Sequence, residues 1–262
     1  MSSINPCSNF FLVRKLKVEA LKSILKELGI ECARTIEEKV DLQFSALENL
    51  QKNLNDDELF LKLVIANSIV SYQLSGKGED WWWEFSNYFS RNPPTGSIVK
   101  AYSEFFPRSK TNKRLIQPKL NRLKKLEPFL NSLTIEDLRK YYENILRFRD
   151  HLAKVMNANE DAKTIVFAVK MFGYGSRIVF GEFLPYPMEI DIPIDFRIEN
   201  YTKKFTDRNP IAFWKEVAKE VGIPPLHIDS ILWPVLGRNE EVIKRLQKYC
   251  KNWKAVLSLI SL

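Results

Sequence analysis

Apolar residues along this chain recur at three- and four-residue intervals, and alternating runs of strand length are scarce, so the pattern predicts helices almost throughout. An amphipathic helix is expected from about Asn9 to Leu28, with Phe11, Leu12, Leu16, Leu21, Ile24, Leu25 and Leu28 apolar among lysines and Gly29 ending it. A second, from about Thr35 to Asn53, carries Val40, Phe44, Leu47 and Leu50 on one side. Asn55 with Glu58 reads as a capping box opening a long helix from Asp56 to about Leu74. That helix is apolar on most sides, which suits the centre of a helical domain. Thr134 with Asp137 opens a helix to about Asn157, and Asn209 with Pro210 opens another to Val221. A last helix, from Asn239 to about Leu259, packs Val242, Ile243, Leu246, Tyr249, Trp253, Val256 and Leu257.

Between Asn157 and Arg197 the pattern stops being explained by packing. Lys163, Phe167 and Lys170 fall at i, i+4 and i+7 and share one helix face, while Ile165, Val166, Ala168 and Val169 mark the rest of that helix as buried. Two ammonium groups flanking an aromatic ring suit neither a core nor an idle surface. The chain then crosses Gly173 and Gly175, breaks at Pro185 and Pro187, and reaches Asp195 at the end of an apolar run. On the residues alone Asp195 is either the cap of a helix through Arg197 to Tyr201 or a chemical group, and Lys163 is either a surface lysine or a nucleophile.

Composition narrows the classes. With 45% hydrophobic and 12% aromatic residues among 262, the chain can bury a sizeable core in one large domain or two smaller ones. A net charge of +8 favours a polyanionic partner. The segment from Arg108 to Lys125 concentrates that charge, with eight basic residues and no acidic one. A solvated helix face normally mixes signs, so phosphate contact through Arg108, Lys110, Lys113 and Arg114 is the favoured reading over a plain solvated face, and it implies salt-sensitive binding. Pro118 splits the block into a loop and a helix. Three scattered cysteines (Cys7, Cys32, Cys250) and two isolated histidines (His151, His227) exclude a disulfide framework, a zinc site and a Ser-His triad. No metal, redox cofactor or phosphate-transfer loop is implied. The N-terminus lacks a signal organisation and no apolar run reaches membrane length, so a cytoplasmic, nucleoid-associated protein with no membrane partner is expected.

Four motifs occur in a fixed order: SYQLSG from Ser71, K-x-x-x-F-x-x-K from Lys163 to Lys170, P-I-D ending at Asp195, and D-x-x-x-W from Asp229 to Trp233. Together, over about Gln43 to Trp233, they resemble the archaeal 8-oxoguanine glycosylase family (archaeal GO glycosylase) of the helix-hairpin-helix, Gly/Pro…Asp superfamily. The resemblance implies an all-α fold of two helical subdomains with the active site in the cleft between them. Residues 1–262 would form one glycosylase module. Within it, residues 56–160 would be a central barrel bearing the basic segment, and 1–55 plus 161–262 would supply the hairpin, the catalytic pair and the C-terminal helices.

This sequence departs from the superfamily at one point. A G-x-G hairpin before the lysine is absent at Lys163, whereas Gly173 to Gly175 offers one that puts Arg177 in the lysine's place. An arginine stays protonated and cannot act as an amine nucleophile, while a desolvated lysine can. Lys163 therefore keeps the role, Lys170 is the next candidate, and Arg177 joins the DNA-contacting set.

By the same resemblance, Gln43 reads the base, Ser71 faces its pocket, and Trp81 enters it from the run Trp81 to Trp83. Phe167 stacks on the flipped base with Trp233 opposite, and Lys170 and Asp229 add polar contacts. Gln73 fills the gap left by the extruded nucleotide. The implied reaction is attack of the Lys163 amine on C1′, with Asp195 stabilising the developing charge, followed by β-elimination from the lysine imine. Desolvation by apolar neighbours is expected to supply the neutral amine. The implied partner is double- or single-stranded DNA containing 8-oxoguanine, bound by a monomer. A non-catalytic helical nucleic-acid-binding module is the rival reading, and an interaction scaffold a third that leaves Lys163 and Asp195 without a task.

Overall fold

The computed structural model describes residues 6–262, with side chains from residue 11 onward, so Cys7 and the first residues of the first predicted helix lie outside the described side chains. The fold is all-α, with no strand among the described residues. Two units are delimited by their internal contacts: one runs Leu42–Pro187, and the other joins the segments before and after it.

The flanking segments begin with α1 (Pro6–Thr35), in which Gly29, at the non-helical φ 65°, ends the first helical stretch as expected and a second continues beyond the kink to Thr35. A five-residue π-turn, Ile36–Val40, follows. Glu37 in this turn is fully buried and bonded to Nδ1 of buried His227 at 2.7 Å. Burying both partners is tolerable only because each satisfies the other.

The Leu42–Pro187 unit holds α2 (Leu42–Leu54), α3 (Asp57–Ile69), α4 (Gly78–Arg91), α5 (Ile98–Phe105), α6 (Ile116–Ser132), α7 (Ile135–Glu143), α8 (Ile145–Met156) and α9 (Lys163–Phe180). The predicted central helix is α3, with Phe60, Leu61, Leu63, Val64 and Ile65 buried, and it packs on α9. Its cap is Asp56, which accepts the Leu59 N–H at 2.9 Å. Asn55 instead takes a left-handed turn at φ 51°, and Glu58 is drawn to Lys62. The Thr134–Asp137 capping box forms as expected. Asn144, however, divides the helix expected to reach Asn157 into α7 and α8, its side chain capping the second. The Leu42–Pro187 boundaries place α2 and α9 with this unit rather than with the chain ends, because α2 packs on α4 and α9, and α9 packs on α3.

Gly173 and Gly175 lie inside α9 and make no hairpin. A Cβ on Gly173 would stand 2.5 Å from the Tyr186 ring, and one on Gly175 would stand 3.1 Å from Leu61. The glycines are notches: one admits the Tyr186 phenol, whose hydroxyl donates to the Lys170 carbonyl at 2.6 Å, and the other lets α3 approach.

After residue 187 come α10 (Phe196–Thr202), α11 (Pro210–Val221), α12 (Pro225–Leu236), α13 (Glu240–Tyr249) and α14 (Trp253–Ser261). Here α12 is central, packing on α1, α10, α11, α14 and the π-turn. The expected C-terminal helix is two, broken at Cys250. Burial and contact with Cys32 push the Cys250 thiol up. Among the described residues, no helix is long and apolar enough to cross a membrane, and no group of side chains could hold a metal ion.

Candidate active site

In the Leu42–Pro187 unit the relevant side chains line α9 from an open end to a closed one. Asn157 ends α8 in the left-handed conformation, and the turn through Ala162 delivers Lys163 as the first residue of α9. Lys163 is exposed, and no hydrogen bond or ion pair engages it among the described residues. Phe167, one turn on, is half-buried and meets Trp82 edge to face at 6.1 Å. Lys170 is 1% exposed, with Nζ 5.6 Å from the Tyr174 ring centre. Burying an ammonium is costly, and a ring face offsets part of the cost. The shared face therefore exists, but the expected drying of Lys163 by apolar neighbours does not: Lys163 is exposed.

Gln43 is the second residue of α2 and is buried. Ser71 and Trp81 are brought together: the Trp81 indole N–H donates to Ser71 Oγ at 2.8 Å, and Ser71 donates to the Asn67 carbonyl at 2.6 Å. Trp81 also stacks on Phe105 at 5.2 Å. Its single donor is occupied, and it is Trp82 that touches Phe167.

Gln73 lies in the turn between α3 and α4, exposed and at φ 47°. A non-glycine residue there adopts a sparsely populated backbone conformation. Arg108, Lys110, Lys113 and Arg114 are all exposed, as phosphate contacts must be. Glu84 shapes their loop, accepting from the Ser109 and Thr111 hydroxyls at 2.6 and 2.8 Å and from the Lys110 N–H at 2.9 Å. Leu115 was missed in the sequence: exposed at φ 54° beside Arg114, it is an apolar tip amid cations. Arg177 is a correction. It is 6% exposed, its guanidinium 4.5 Å from the Phe183 ring centre and bonded to Tyr142, so it is an internal cation of α9 that does not reach the surface.

In the other unit Asp195 is the cap of α10. Its Oδ1 accepts the Ile198 N–H at 2.9 Å and so caps α10. Its Oδ2 accepts the Trp233 indole N–H at 2.6 Å. Two donors hold the carboxylate in one orientation while it stays half-buried. Asp229, one turn before Trp233 on α12, is buried. Arg197, also missed, lies 4.1 Å from the Trp233 ring centre and donates to the Trp233 carbonyl at 3.3 Å. Nothing in the sequence separates it from other arginines, since the contact is made across two helices.

Comparison with known proteins decides the family. Residues 22–258 match the AGOG family model, described as N-glycosylase/DNA lyase. The chain belongs to the AGOG family. An N-glycosylase/DNA lyase of Thermococcus kodakarensis is 66% identical over 247 residues, covering 94% of each chain. Another, of Methanococcus maripaludis, is 50% identical over 94% of this chain and 98% of the relative. A crystal structure of the 8-oxoguanine DNA glycosylase of Pyrobaculum aerophilum, complexed with 8-oxoguanosine, superposes with TM-score 0.75 at 26% identity, over 94% of this chain and 96% of that one. As an AGOG protein this is a catalytic N-glycosylase/DNA lyase, which sets aside the non-catalytic reading.

Proposed function

We propose that the enzyme excises 8-oxoguanine from DNA, with Lys163 as nucleophile and Asp195 as its acidic partner. The observation that carries this reading is the state of Lys163: an exposed, unengaged primary amine at the first position of an otherwise buried helix, in line with a half-buried ring and a buried cation. The neutral Lys163 amine forms a bond to C1′ as the bond from C1′ to the base breaks. Asp195 stabilises the positive charge developing on the sugar, its orientation fixed by Trp233 and the α10 backbone. Ring opening gives an imine to Lys163. Loss of the adjacent C2′ proton then expels the 3′ phosphate by β-elimination. Because Lys163 is open to water in the free enzyme, the bound nucleotide must exclude water from it.

Phe167 and Trp233 are the aromatic rings assigned to the extruded base. Gln43, Lys170 and Asp229 read its edge, with Ser71 and Trp81 as the wall behind. The carboxylate at 229 suits the N–H donors of 8-oxoguanine. Gln73 fills the vacated stack, and Arg108, Lys110, Lys113 and Arg114 hold phosphates. One chain carries both Lys163 and Asp195, so the reaction proposed here needs no second copy.

Borohydride trapping on an 8-oxoguanine duplex tests the reading. Wild type should form a covalent adduct that Lys163→Gln abolishes. A panel of other lesions in the same assay should trap less. An adduct that survives Lys163→Gln undiminished, or none in wild type, contradicts it.

A further inference from the structure

The basic block has two populations. Its first four cations are exposed, as described above, but along α6 Lys119 is buried, Arg122 is half-buried, and Lys125, itself exposed, bonds back to the chain. Lys119 is fully buried, donates to Asn112 Oδ1 and places Nζ 4.9 Å from the Tyr72 ring centre. Arg122 lies 5.4 Å from the same ring and donates from Nη2 to Thr164 Oγ1 at 3.0 Å. Lys125 donates to the Met156 carbonyl at 3.1 Å, at the end of α8. Tyr72 neighbours Gln73, and Thr164 neighbours Lys163. One row on α6 thus holds the Gln73 turn, the close of α8 and the opening of α9.

No carboxylate pairs with any of these three cations among the described residues, and Arg122 Nε is buried without an acceptor. Burial lowers the affinity of Lys119 for its proton, to a pKa of about 8, with the Arg114 cation adding to the effect, and burial also lowers that of Arg122. Cations kept in so unfavourable a place are retained for geometry rather than stability. The Gln73 turn is fastened as well: the N–H groups of Ser75 and Gly76 donate to the Thr111 carbonyl at 2.8 and 3.1 Å, and Asn112 Nδ2 donates to the Val70 carbonyl at 3.1 Å. A Cβ on Gly76 would stand 2.7 Å from Thr111, so the two loops are closely packed.

We propose that Arg122 and Thr164 are positioning residues that lock the first turn of α9 to the Gln73 loop, so that insertion into the duplex and presentation of Lys163 occur together. The proposal rests on Lys163 as nucleophile and Gln73 as the inserted side chain.

Single-turnover trapping on an 8-oxoguanine duplex, across a Gln73→Ala by Thr164→Val double-mutant cycle, tests it. Thr164→Val removes only the acceptor hydroxyl. It should slow trapping about tenfold, as a slightly misplaced nucleophile does, while duplex affinity is unchanged. Thr164→Ser should restore the rate. The double variant should be no slower than the slower single one, because both break the same linkage. Arg122→Lys, which keeps the charge but loses the fork, should repeat the Thr164→Val loss. Thr164→Val at wild-type rate, losses that multiply in the double variant, or a loss matched by weaker binding and not restored by Thr164→Ser would overturn the proposal. Absence of any adduct in wild type overturns it together with the functional reading beneath it, whereas an intact wild-type adduct with multiplying losses overturns the linkage alone.

Discussion

Lys163 and Lys170 stand on the same face of the same helix, two turns apart, and the protein treats them in opposite ways. Lys163 is at the open first turn, exposed and unengaged. Lys170 is sealed at 1% exposure against Tyr174, on a turn whose carbonyl receives the Tyr186 hydroxyl. An amine that must form a bond to a sugar carbon has to be reachable, and the helix terminus provides reach. An amine that reads a base edge has to be fixed, and burial against aromatic rings provides that at the cost of desolvation. Between them Phe167 marks the passage from solvent to interior. Residue type is therefore a poor guide to role along this face, and depth is a good one.

The contrast breaks most sharply under substitution of the two lysines. Lys163→Gln should abolish adduct formation, whereas Lys170→Gln should still give an adduct, with affinity for the lesion duplex reduced about tenfold or more; equal losses of adduct in the two would erase the distinction. Asp195→Asn comes next. Asparagine can still cap α10, so the thermal midpoint should hold while single-turnover excision falls by about 10²- to 10⁴-fold. A fall in both would reduce Asp195 to a cap. Gln73→Ala should lower excision from duplex by about tenfold, the scale of one lost stacking or hydrogen-bonding contact of about 1–3 kcal/mol. It should leave a single-stranded substrate nearly unaffected, since no stack needs filling there.

The smallest effect concerns a third lysine, Lys119, which shares burial with Lys170 but not its place on α9. Its pKa of about 8 in the fold lies below the value of about 10.4 for an unfolded lysine. Between those limits the unfolded chain binds more protons, so the stability contributed at this site rises with pH, and it is lost as pH falls through about 8. The thermal midpoint of wild type relative to Lys119→Met should accordingly climb from pH 7 to pH 10. A flat difference would mean that Lys119 carries no buried charge.

Much of this was legible in the sequence. The helical periodicity, the placing of Lys163 at a helix start and the apolar run into Asp195 all follow from spacing, because local patterns report local structure. Gln43 is a different case: Phe44 and Leu47 beside it mark the buried side of α2, but its own burial shows only in the fold. What stayed hidden depends on tertiary contact. Gly173 and Gly175 look like a hairpin in one dimension, yet they are close-packing notches for Tyr186 and Leu61. Arg177 looks like a surface cation, yet it lies against Phe183. The eight-cation block reads as uniform, and only its neighbours divide it into exposed residues and the inward pair Lys119 and Arg122. The exposure of Lys163 escaped for the same reason: the pattern shows that a helix is buried without showing where along its length burial begins.

The central claim is that the open lysine, not a buried one, forms the bond to the sugar. Peptide mapping by mass spectrometry of the wild-type adduct, trapped with borohydride on an 8-oxoguanine duplex, tests it without any substitution. The sugar remnant should be found on Lys163; a remnant on Lys170 or Lys119, or an adduct spread over several surface lysines, would contradict the account.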